Sequence, residues 1–156
     1  MTIFRPCAFL KTSTASALFI TAALIAATLS PYATAEQSKQ VGNYNVHYVA
    51  FASTFLSADM ARKYNFVRGR NRALINISVL DRDDKPVRAK LSGTVKNLPG
   101  QILRLNFEEV IEGDAVYYLA QTRFSDQELM RFNIDFVGPD GAENTLKFDQ
   151  KLYWED

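Results

Sequence analysis

The residues best suited to recognise a ligand are five basic side chains in one short segment. Arg62 and Lys63 are followed by Arg68, Arg70 and Arg72, which alternate along the chain. Arginines at alternate positions of an extended segment present planar donors on one side, a geometry that suits carboxylate or phosphate groups. The segment therefore predicts a site for an anionic ligand or an anionic partner.

A second interpretation of the same segment is a solvated loop whose arginines pair with acidic side chains of the protein, such as Glu108, Glu109 or Glu112. Upstream, His47 and Tyr48 lie in a stretch that alternates as a strand does. We expect this strand to bring both residues to the end of the fold that carries the arginines. The predicted binding residues are therefore His47, Tyr48, Arg68, Arg70 and Arg72.

The sequence predicts neither a catalytic site nor a metal site. Triad hydrolases hold a histidine between a nucleophile and an acid, and the one histidine, His47, has no nucleophile motif beside it. His47 is therefore expected to be a packed or hydrogen-bonded strand residue. One histidine with Met60 and Met130 falls short of the ligand clusters that bind copper, so both methionines are assigned to core packing and no cofactor is predicted. The acidic turn at residues 81–84 lacks the spacing of a calcium loop.

The first 35 residues have the features of a secretory signal. Arg5 and Lys11 form a charged start, residues 15–29 are mostly small or apolar, and Ala33-Thr34-Ala35 supplies a cleavage motif. The alternative is a retained membrane anchor, but the apolar run is shorter than the roughly 20 residues that cross a bilayer. The sequence therefore divides into a signal peptide, residues 1–35, and one exported domain, residues 36–156, that does not span the membrane after cleavage.

Cleavage after Ala35 removes Cys7, the one cysteine, and so excludes disulfides, thiol catalysis and thiolate metal sites from the exported domain. Loss of Arg5 and Lys11 from the 18 basic residues leaves 16 against 17 acidic residues. A near-neutral domain has no overall attraction to nucleic acid or to an anionic membrane. Nucleic acid is therefore excluded as a partner.

Alternation of apolar and polar residues predicts seven strands after a polar lead-in at residues 36–42. These strands cover residues 44–53, 73–80, 87–96, 102–110, 115–124, 130–137 and 145–154. The strand at 87–96 has one apolar and one polar, partly charged face, so we expect solvent on one side of it. Without a repeating strand–helix–strand order, the pattern favours a mostly β fold, an antiparallel, immunoglobulin-like β-sandwich. A small closed barrel is the alternative.

One short helix is predicted after the first of these strands. Ser57 has the side chain of an N-cap, and Asp59 near the start, with basic residues near the end, suits the helix dipole. Met60 and Tyr64 lie four residues apart on one face, and Asn65 can adopt the left-handed conformation that ends a helix. A helix this short depends on packing against the sheet.

Several of these residues form a pattern that extends over most of the exported domain. They are Tyr44-x-Val46-His47-Tyr48, Phe51-x-Ser53-Thr54-Phe55-Leu56, Ala61-x-x-Tyr64, Arg68 and the run from Ala73 to Leu80, together with the closing hairpin from Phe132 to Trp154. With these residues the chain resembles the family called domain of unknown function 4426. The resemblance implies a small exported protein of the Gram-negative periplasm and implies no activity. Arg68 lies in the matching pattern and is the first candidate among the arginines.

The sequence as a whole predicts a periplasmic, non-enzymatic binding or interaction module that recognises an anionic ligand or an envelope protein. Two alternatives stay open. One is a small periplasmic hydrolase or lyase with its site in the same region, and the other is a structural subunit of an envelope complex that presents an edge strand. Substitution of His47 tests the first alternative, because an enzyme would lose turnover whereas a binding module would lose affinity gradually.

Export predicts a defined N-terminus. When the full chain is produced in a Gram-negative host, we expect mass spectrometry of the soluble periplasmic fraction to identify Glu36 as the first residue. The physical reason is the small-residue cleavage motif that directly precedes it. A full-length product retained in the membrane fraction would contradict this prediction.

Overall fold

Strands dominate the computed structural model, which describes residues 37–155. The elements are β1 (Gln37–Val41), β2 (Tyr44–Ala52), α1 (Ala58–Lys63), β3 (Arg72–Leu80), β4 (Lys90–Lys96), β5 (Ile102–Leu105), β6 (Glu108–Glu112), β7 (Ala115–Arg123), β8 (Glu128–Val137) and β9 (Glu143–Leu152). The segment predicted to be a signal peptide, residues 1–35, lies outside the described residues. No helix among residues 37–155 is long and apolar enough to cross a membrane.

The strands form two sheets in which every neighbouring pair is antiparallel. The large sheet has the order β1–β2–β3–β7–β6, and the small sheet has the order β5–β4–β8–β9. The inner faces of the two sheets share one apolar core. The prediction of a mostly β, antiparallel sandwich with one short helix is confirmed.

The structure has nine strands where the sequence predicts seven, and β1 is one of the two additions. The predicted lead-in at residues 36–42 is wrong, because Gln37–Val41 pairs with the first residues of β2. Most of β1 is exposed, so no apolar alternation marks it and backbone hydrogen bonds hold it in place. Gly42, at φ +60°, closes the tight turn into β2. As a result the helix follows the second strand of the fold.

The other addition results from a strand that changes sheet. The sequence predicts one strand over residues 102–110, but Leu105 pairs with β4 in the small sheet, whereas Glu108 pairs with β7 in the large sheet. Asn106 and Phe107 make the crossing, and Phe107 packs against the core. Because the chain keeps its direction through the crossing, the pattern of side chains alone indicates a single strand.

The core lies between the two sheets, and residues 36–156 form a compact unit of their own. Its most deeply buried side chains come from both sheets: Val46, Ile75, Ile77, Val95, Met130 and Ile134. The ring of Tyr48 packs 4.4 Å from the ring of Phe148, and that ring stacks 4.6 Å from Phe132, measured between centroids. The assignment of Met130 to the core is confirmed, whereas that of Met60 is wrong, since Met60 is 37% exposed. The predicted one-sided exposure is also confirmed, since β4 buries Val95 and exposes both of its terminal lysines.

The two ends of the sandwich carry different segments. At one end lie the parts of residues 53–71 that flank α1, the β4–β5 turn, the β7–β8 loop and the residues after β9; we call it the helix end. Helix α1 itself lies along the outer face of the large sheet, where Tyr64 reaches Glu112 at the far end of β6. The opposite end carries the β1–β2, β3–β4, β6–β7 and β8–β9 connections; we call it the turn end. Side chains join the connections there, since Asn45 donates to Asp84 and the Asp140 N–H donates to Tyr44 Oη.

Candidate functional site

Helix α1 is held by the local signals that the sequence predicts. The Ser57 hydroxyl accepts a hydrogen bond from the Met60 N–H at 3.2 Å, and Asp59 in the first turn forms an ion pair with Arg62 in the last. Asn65 has φ +55° and follows the C-cap. Because each signal acts within one or two turns, the N-cap, the charge order and the position of the end are all confirmed.

The loop after α1 is fixed by one buried hydroxyl. Ser53, just after β2, is completely buried. Its Oγ lies 3.2 Å from the carbonyl oxygens of both Val67 and Gly69, and it accepts from the Gly69 N–H at 3.0 Å. Gln121 on β7 binds the loop a second time, since its side-chain amide bonds both the N–H and the C=O of Val67. Residues 53–71, which we call the helix–loop segment, are therefore attached to the large sheet at two points.

An apolar groove of about 200 Å³ lies between α1 and the outer face of the large sheet. Its apolar lining comes from the helix–loop segment and the strands beneath it: Phe51, Leu56, Met60, Leu74, Val110 and Leu119. Asn76 also lines the groove, and its Oδ1 is buried without a hydrogen-bond partner among the described residues. Tyr64 lines the groove together with Met60, so the helical face predicted for this pair is confirmed.

The polar end of the groove is a cluster of three side chains. Tyr64 Oη donates to Glu112 Oε1 at 2.6 Å, and Lys63 Nζ donates to the same oxygen at 3.1 Å. The Tyr64 hydroxyl and then Lys63 stabilise the carboxylate, which lowers the pKa of Glu112. In return the pKa of Lys63 is raised, first by Tyr64 and then by Glu112. The cluster anchors the end of α1 to β6.

Two arginines of the loop are directed to different neighbours at the helix end. Arg68 Nη2 donates to the Thr54 carbonyl oxygen at 3.1 Å. The Arg70 guanidinium lies 4.3 Å from the centre of the Trp154 ring, which is a cation–π contact. Both side chains are exposed and their positive charges face solvent.

The third arginine meets another arginine. Arg72 begins β3 directly opposite Arg123, the last residue of β7. Like charges in directly opposite positions of a sheet repel each other. Among residues 37–155, no ion pair involves Arg72, Arg123 or the two loop arginines. The helix end therefore has several positive charges without a carboxylate partner in the described chain.

The salt bridges that the sequence offers as an alternative form with other cations. Glu109 pairs with Arg88, and Glu112 pairs with Lys63. Glu108 forms no ion pair within residues 37–155. The loop arginines are thus not neutralised by the acidic residues of β6.

His47 and Tyr48 do not join the arginines. They are neighbours in β2 and therefore point to opposite faces of the large sheet. Tyr48 packs in the core against Phe148, whereas His47 is half-buried on the outer face, between β1 and β3. Along β2, His47 also lies roughly 20 Å from Ser53 at the spacing of an extended strand. The structure places the three loop arginines at one end and places His47 and Tyr48 apart from them.

The described residues do not form a recognisable metal centre. Residues 37–155 contain no group of three or more histidine, cysteine, aspartate or glutamate side chains placed to hold an ion. Met130 is buried in the core and Met60 lines the groove. Together with His47 on the outer face, they share no common set of ligand positions of the kind that copper requires.

Sequence reasoning missed two residues of the helix end. Arg123 stands at the end of a predicted strand, but only the register of β3 against β7 shows that it faces Arg72. Trp154 follows β9, and its contact with Arg70 joins the end of the chain to the loop. The sequence contains both side chains and no signal that pairs them with the loop.

Comparison with known proteins identifies a family. Residues 38–155 match the pattern of the family described as domain of unknown function (DUF4426). A crystal structure of a DUF4426 family protein from Pseudomonas aeruginosa is 30% identical, with a TM-score of 0.70, over 78% of this chain and 97% of that chain. A search of curated proteins found no match.

Two structures of FetP from uropathogenic Escherichia coli are similar in fold alone. One is a copper-bound variant, 10% identical, with a TM-score of 0.56 over 78% of this chain and 97% of that chain. The other is FetP as isolated after recombinant expression in the periplasm of E. coli, 10% identical, with a TM-score of 0.55 over 78% and 96%. At this identity the likeness concerns the strands and carries no information about side chains at a site.

Replacing Ser53 with alanine should release the loop. The substitution leaves the part-buried Gly69 N–H without its partner, which costs about 1–3 kcal/mol of unfolding free energy. The carbonyl oxygens of Val67 and Gly69 keep the hydrogen bonds that they accept from Gln121 and Arg72. We expect that loss in urea unfolding, together with faster amide hydrogen exchange at Gly69. The control is Ser57→Ala, which removes the helix cap at a cost of about 1 kcal/mol and should leave exchange at Gly69 unchanged. Unaltered exchange in Ser53→Ala would contradict the prediction.

Removing the charge of Glu112 should change how stability depends on pH. The folded-state pKa of Glu112 lies below its ordinary value of 4.5. Its stabilising contribution is therefore complete above the unfolded-state pKa and is lost as pH falls through the folded-state pKa. We expect Glu112→Gln to lower the free energy of unfolding near neutral pH, and the difference from wild type to shrink in acid. Glu108→Gln, on the same strand, is the control. Its difference from wild type in the free energy of unfolding should not shrink in acid. A Glu112→Gln difference that stays constant with pH would count against the prediction.

Proposed function

The chain belongs to the DUF4426 family, and we propose that it is an exported, non-enzymatic binding module that recognises an anionic group at its helix end. The residues proposed to bind the anion are Arg68, Arg72 and Arg123, with Arg70 beside them. Arg123 joins the set because of its position opposite Arg72. His47 and Tyr48 are left out because they lie on opposite faces of β2 and away from this end.

The observation that carries this proposal is the pair of arginines that face each other across β3 and β7. Such a pair destabilises a sheet by roughly 0.2–1 kcal/mol, and neither guanidinium has a carboxylate partner among residues 37–155. An anion held between Arg72 and Arg123 would replace this repulsion with charge-assisted hydrogen bonds. Carboxylate and phosphate oxygens both fit the planar donors of arginine.

Export is supported by features that lie away from the helix end. Residues 1–35 carry the pattern of a secretory signal, and FetP, which shares the fold, was isolated after expression in the periplasm. Residues 36–156 contain no cysteine, so an oxidising compartment changes no thiol in them. A periplasmic address is therefore the location we propose.

Copper binding, which one FetP structure displays, is not favoured by the residues of this chain. Copper sites combine several histidine, methionine or cysteine ligands around one ion. Here His47, Met60 and Met130 occupy the outer face, the groove and the core, respectively. The described residues thus support an anion site better than a metal site.

A hydrolase or lyase at the helix end would need an acid–base group beside the bound ligand. The carboxylates of Asp126 and Glu128 at this end accept hydrogen bonds from backbone N–H groups of the loop and of Trp154. His47 lies roughly 20 Å from this end at the spacing of an extended strand, beyond the reach of a hydrogen bond to any ligand bound by the arginines. Arginine itself stays protonated and cannot act as the base. The residues gathered at the helix end therefore support binding rather than turnover.

Arg72→Gln tests the proposal because its effect on stability should change sign with the buffer anion. In chloride, loss of one charge relieves the repulsion and should raise the free energy of unfolding of residues 36–156 by about 0.2–1 kcal/mol. In phosphate of equal ionic strength, the wild type should gain roughly 2.7 kcal/mol at about 100 times the Kd. The variant should lose most of that gain. Urea unfolding in the two buffers measures both effects.

Arg104→Gln is the matched control. Arg104 is an exposed arginine of β5 in the small sheet and forms no ion pair among residues 37–155. This variant should respond to phosphate as the wild type does. Equal stabilisation of the wild type and Arg72→Gln by phosphate, or no stabilisation of either, would refute anion recognition at the helix end.

A further inference from the structure

We propose that the helix end docks on the surface of an anionic phospholipid bilayer, with exposed apolar side chains in the headgroup layer and arginines bound to lipid phosphates. The inference rests on the proposed function because it uses the same arginines, and it names the source of the anion. It describes a domain that lies on a membrane surface without crossing the bilayer.

Exposed large apolar side chains collect at the helix end. Their exposed fractions range from 40% to 68%: Phe55, Val67, Leu98, Ile102, Tyr153 and Trp154. They come from the helix–loop segment, the β4–β5 hairpin and the residues after β9, and the strand registers bring these three segments to one end. Single exposed apolar residues are ordinary, whereas a concentration of them indicates an interaction surface.

Basic and acidic residues are concentrated at opposite ends of the sandwich. Basic residues at the helix end are Arg68, Arg70, Arg72, Lys96, Arg123 and Lys151. Acidic residues at the turn end are Asp81, Asp83, Asp84, Glu112, Asp114 and Asp140, and they outnumber the basic residues of the same connections, Arg82, Lys85 and Arg88. A molecule with little net charge thus has a positive end and a negative end. A negatively charged surface orients such a molecule with the helix end towards it.

The acidic residues of the helix end are occupied by backbone contacts or stand beyond the last strand. Asp126 accepts from the Trp154 N–H at 2.9 Å, and buried Glu128 accepts from the Ser125 N–H at 2.6 Å. Glu155 follows Trp154 near the end of the described chain. The carboxylates of Asp126 and Glu128 thus bind backbone N–H groups of the protein, and the arginines carry most of the charge that a partner would meet.

The arrangement of the apolar side chains favours lipid over protein as the partner. They stand on three separate chain segments, and basic residues lie between them in the sequence. A protein partner packs against a continuous apolar centre from which charges are depleted. A headgroup layer accepts apolar side chains singly and offers a phosphate beside each of them. Tryptophan and tyrosine prefer this boundary, and Arg70 already lies against Trp154.

The one tryptophan of the chain, Trp154, reports docking without a label. Residues 36–156 are titrated with vesicles of phosphatidylethanolamine and phosphatidylglycerol, and bound protein is measured by sedimentation. We expect binding, a blue shift of the Trp154 fluorescence because the indole leaves water, and weaker binding at high salt because the charges are screened. Vesicles of phosphatidylcholine, which carry no net charge, should bind far less.

Matched variants separate insertion from charge. Phe55→Ser should reduce affinity for anionic vesicles roughly tenfold and leave stabilisation by inorganic phosphate unchanged. Ile111→Ser, at a 55% exposed position near the turn end, should change neither. Arg68→Gln should reduce vesicle affinity about fivefold and weaken the response to phosphate. Lys147→Gln, on the outer face of the small sheet, should change neither.

The outcomes distinguish this inference from the proposed function. Phosphate stabilisation without vesicle binding would overturn lipid docking and leave anion recognition intact. Vesicle binding without a phosphate response would overturn recognition of a free anion, and vesicle binding that Arg68→Gln leaves unchanged would overturn the role of the arginines in docking. Equal binding to neutral vesicles, or full binding by Phe55→Ser, would overturn docking as described. If a photo-cross-linker at position 55 captures an envelope protein while vesicles stay unbound, the surface belongs to a protein partner and the inference is wrong.

Discussion

The buried hydroxyl of Ser53 is the contact on which the helix end depends. A serine without solvent contact needs partners for both its donor and its acceptor, and it finds them in the backbone of Val67 and Gly69. This fixes the course of a loop whose own side chains are largely exposed. Arg68 and Arg70 flank Gly69 and are therefore held at the end of the sandwich. A helix of six residues persists in front of this loop because packing, not its own propensity, stabilises it.

The core imposes the opposition of Arg72 and Arg123. Ile75 faces Ala120 in the same strand pair, and both are fully buried on the inner face of the large sheet. A slip of one residue would turn this apolar set outward, so burial fixes the register. The repulsion can then be relieved only by a different side chain at one of the two positions or by an anion between them. A local conflict inside an otherwise consistent fold is a reason to look for function.

How much of the structure could be predicted from the sequence depends on the range of each interaction. Ser57, Asp59 and Asn65 act within a turn or two, and their roles follow from residue type. The change of sheet at residues 106–107 and the Arg72–Arg123 register depend on partners far along the chain, which a single sequence does not specify. The separation of His47 from Tyr48 is different, because neighbours in any strand point to opposite faces. A site that includes both residues would therefore need both faces of one sheet.

Net charge fails here as a guide to membranes because it adds charges that the fold separates. Antiparallel strands send successive connections to opposite ends, so the acidic turns at 81–84, 112–114 and 138–142 share one end and the basic segment at 68–72 lies at the other. This sorting follows from the order of strands and turns and is not visible in the total of 16 basic and 17 acidic residues in residues 36–156. A surface acts on the charges within about 10 Å of it at moderate salt, so it meets one end of the molecule and not the sum. Composition can show that a protein is not uniformly basic. It cannot show whether nearly equal numbers of acidic and basic residues are mixed over the surface or lie at opposite ends.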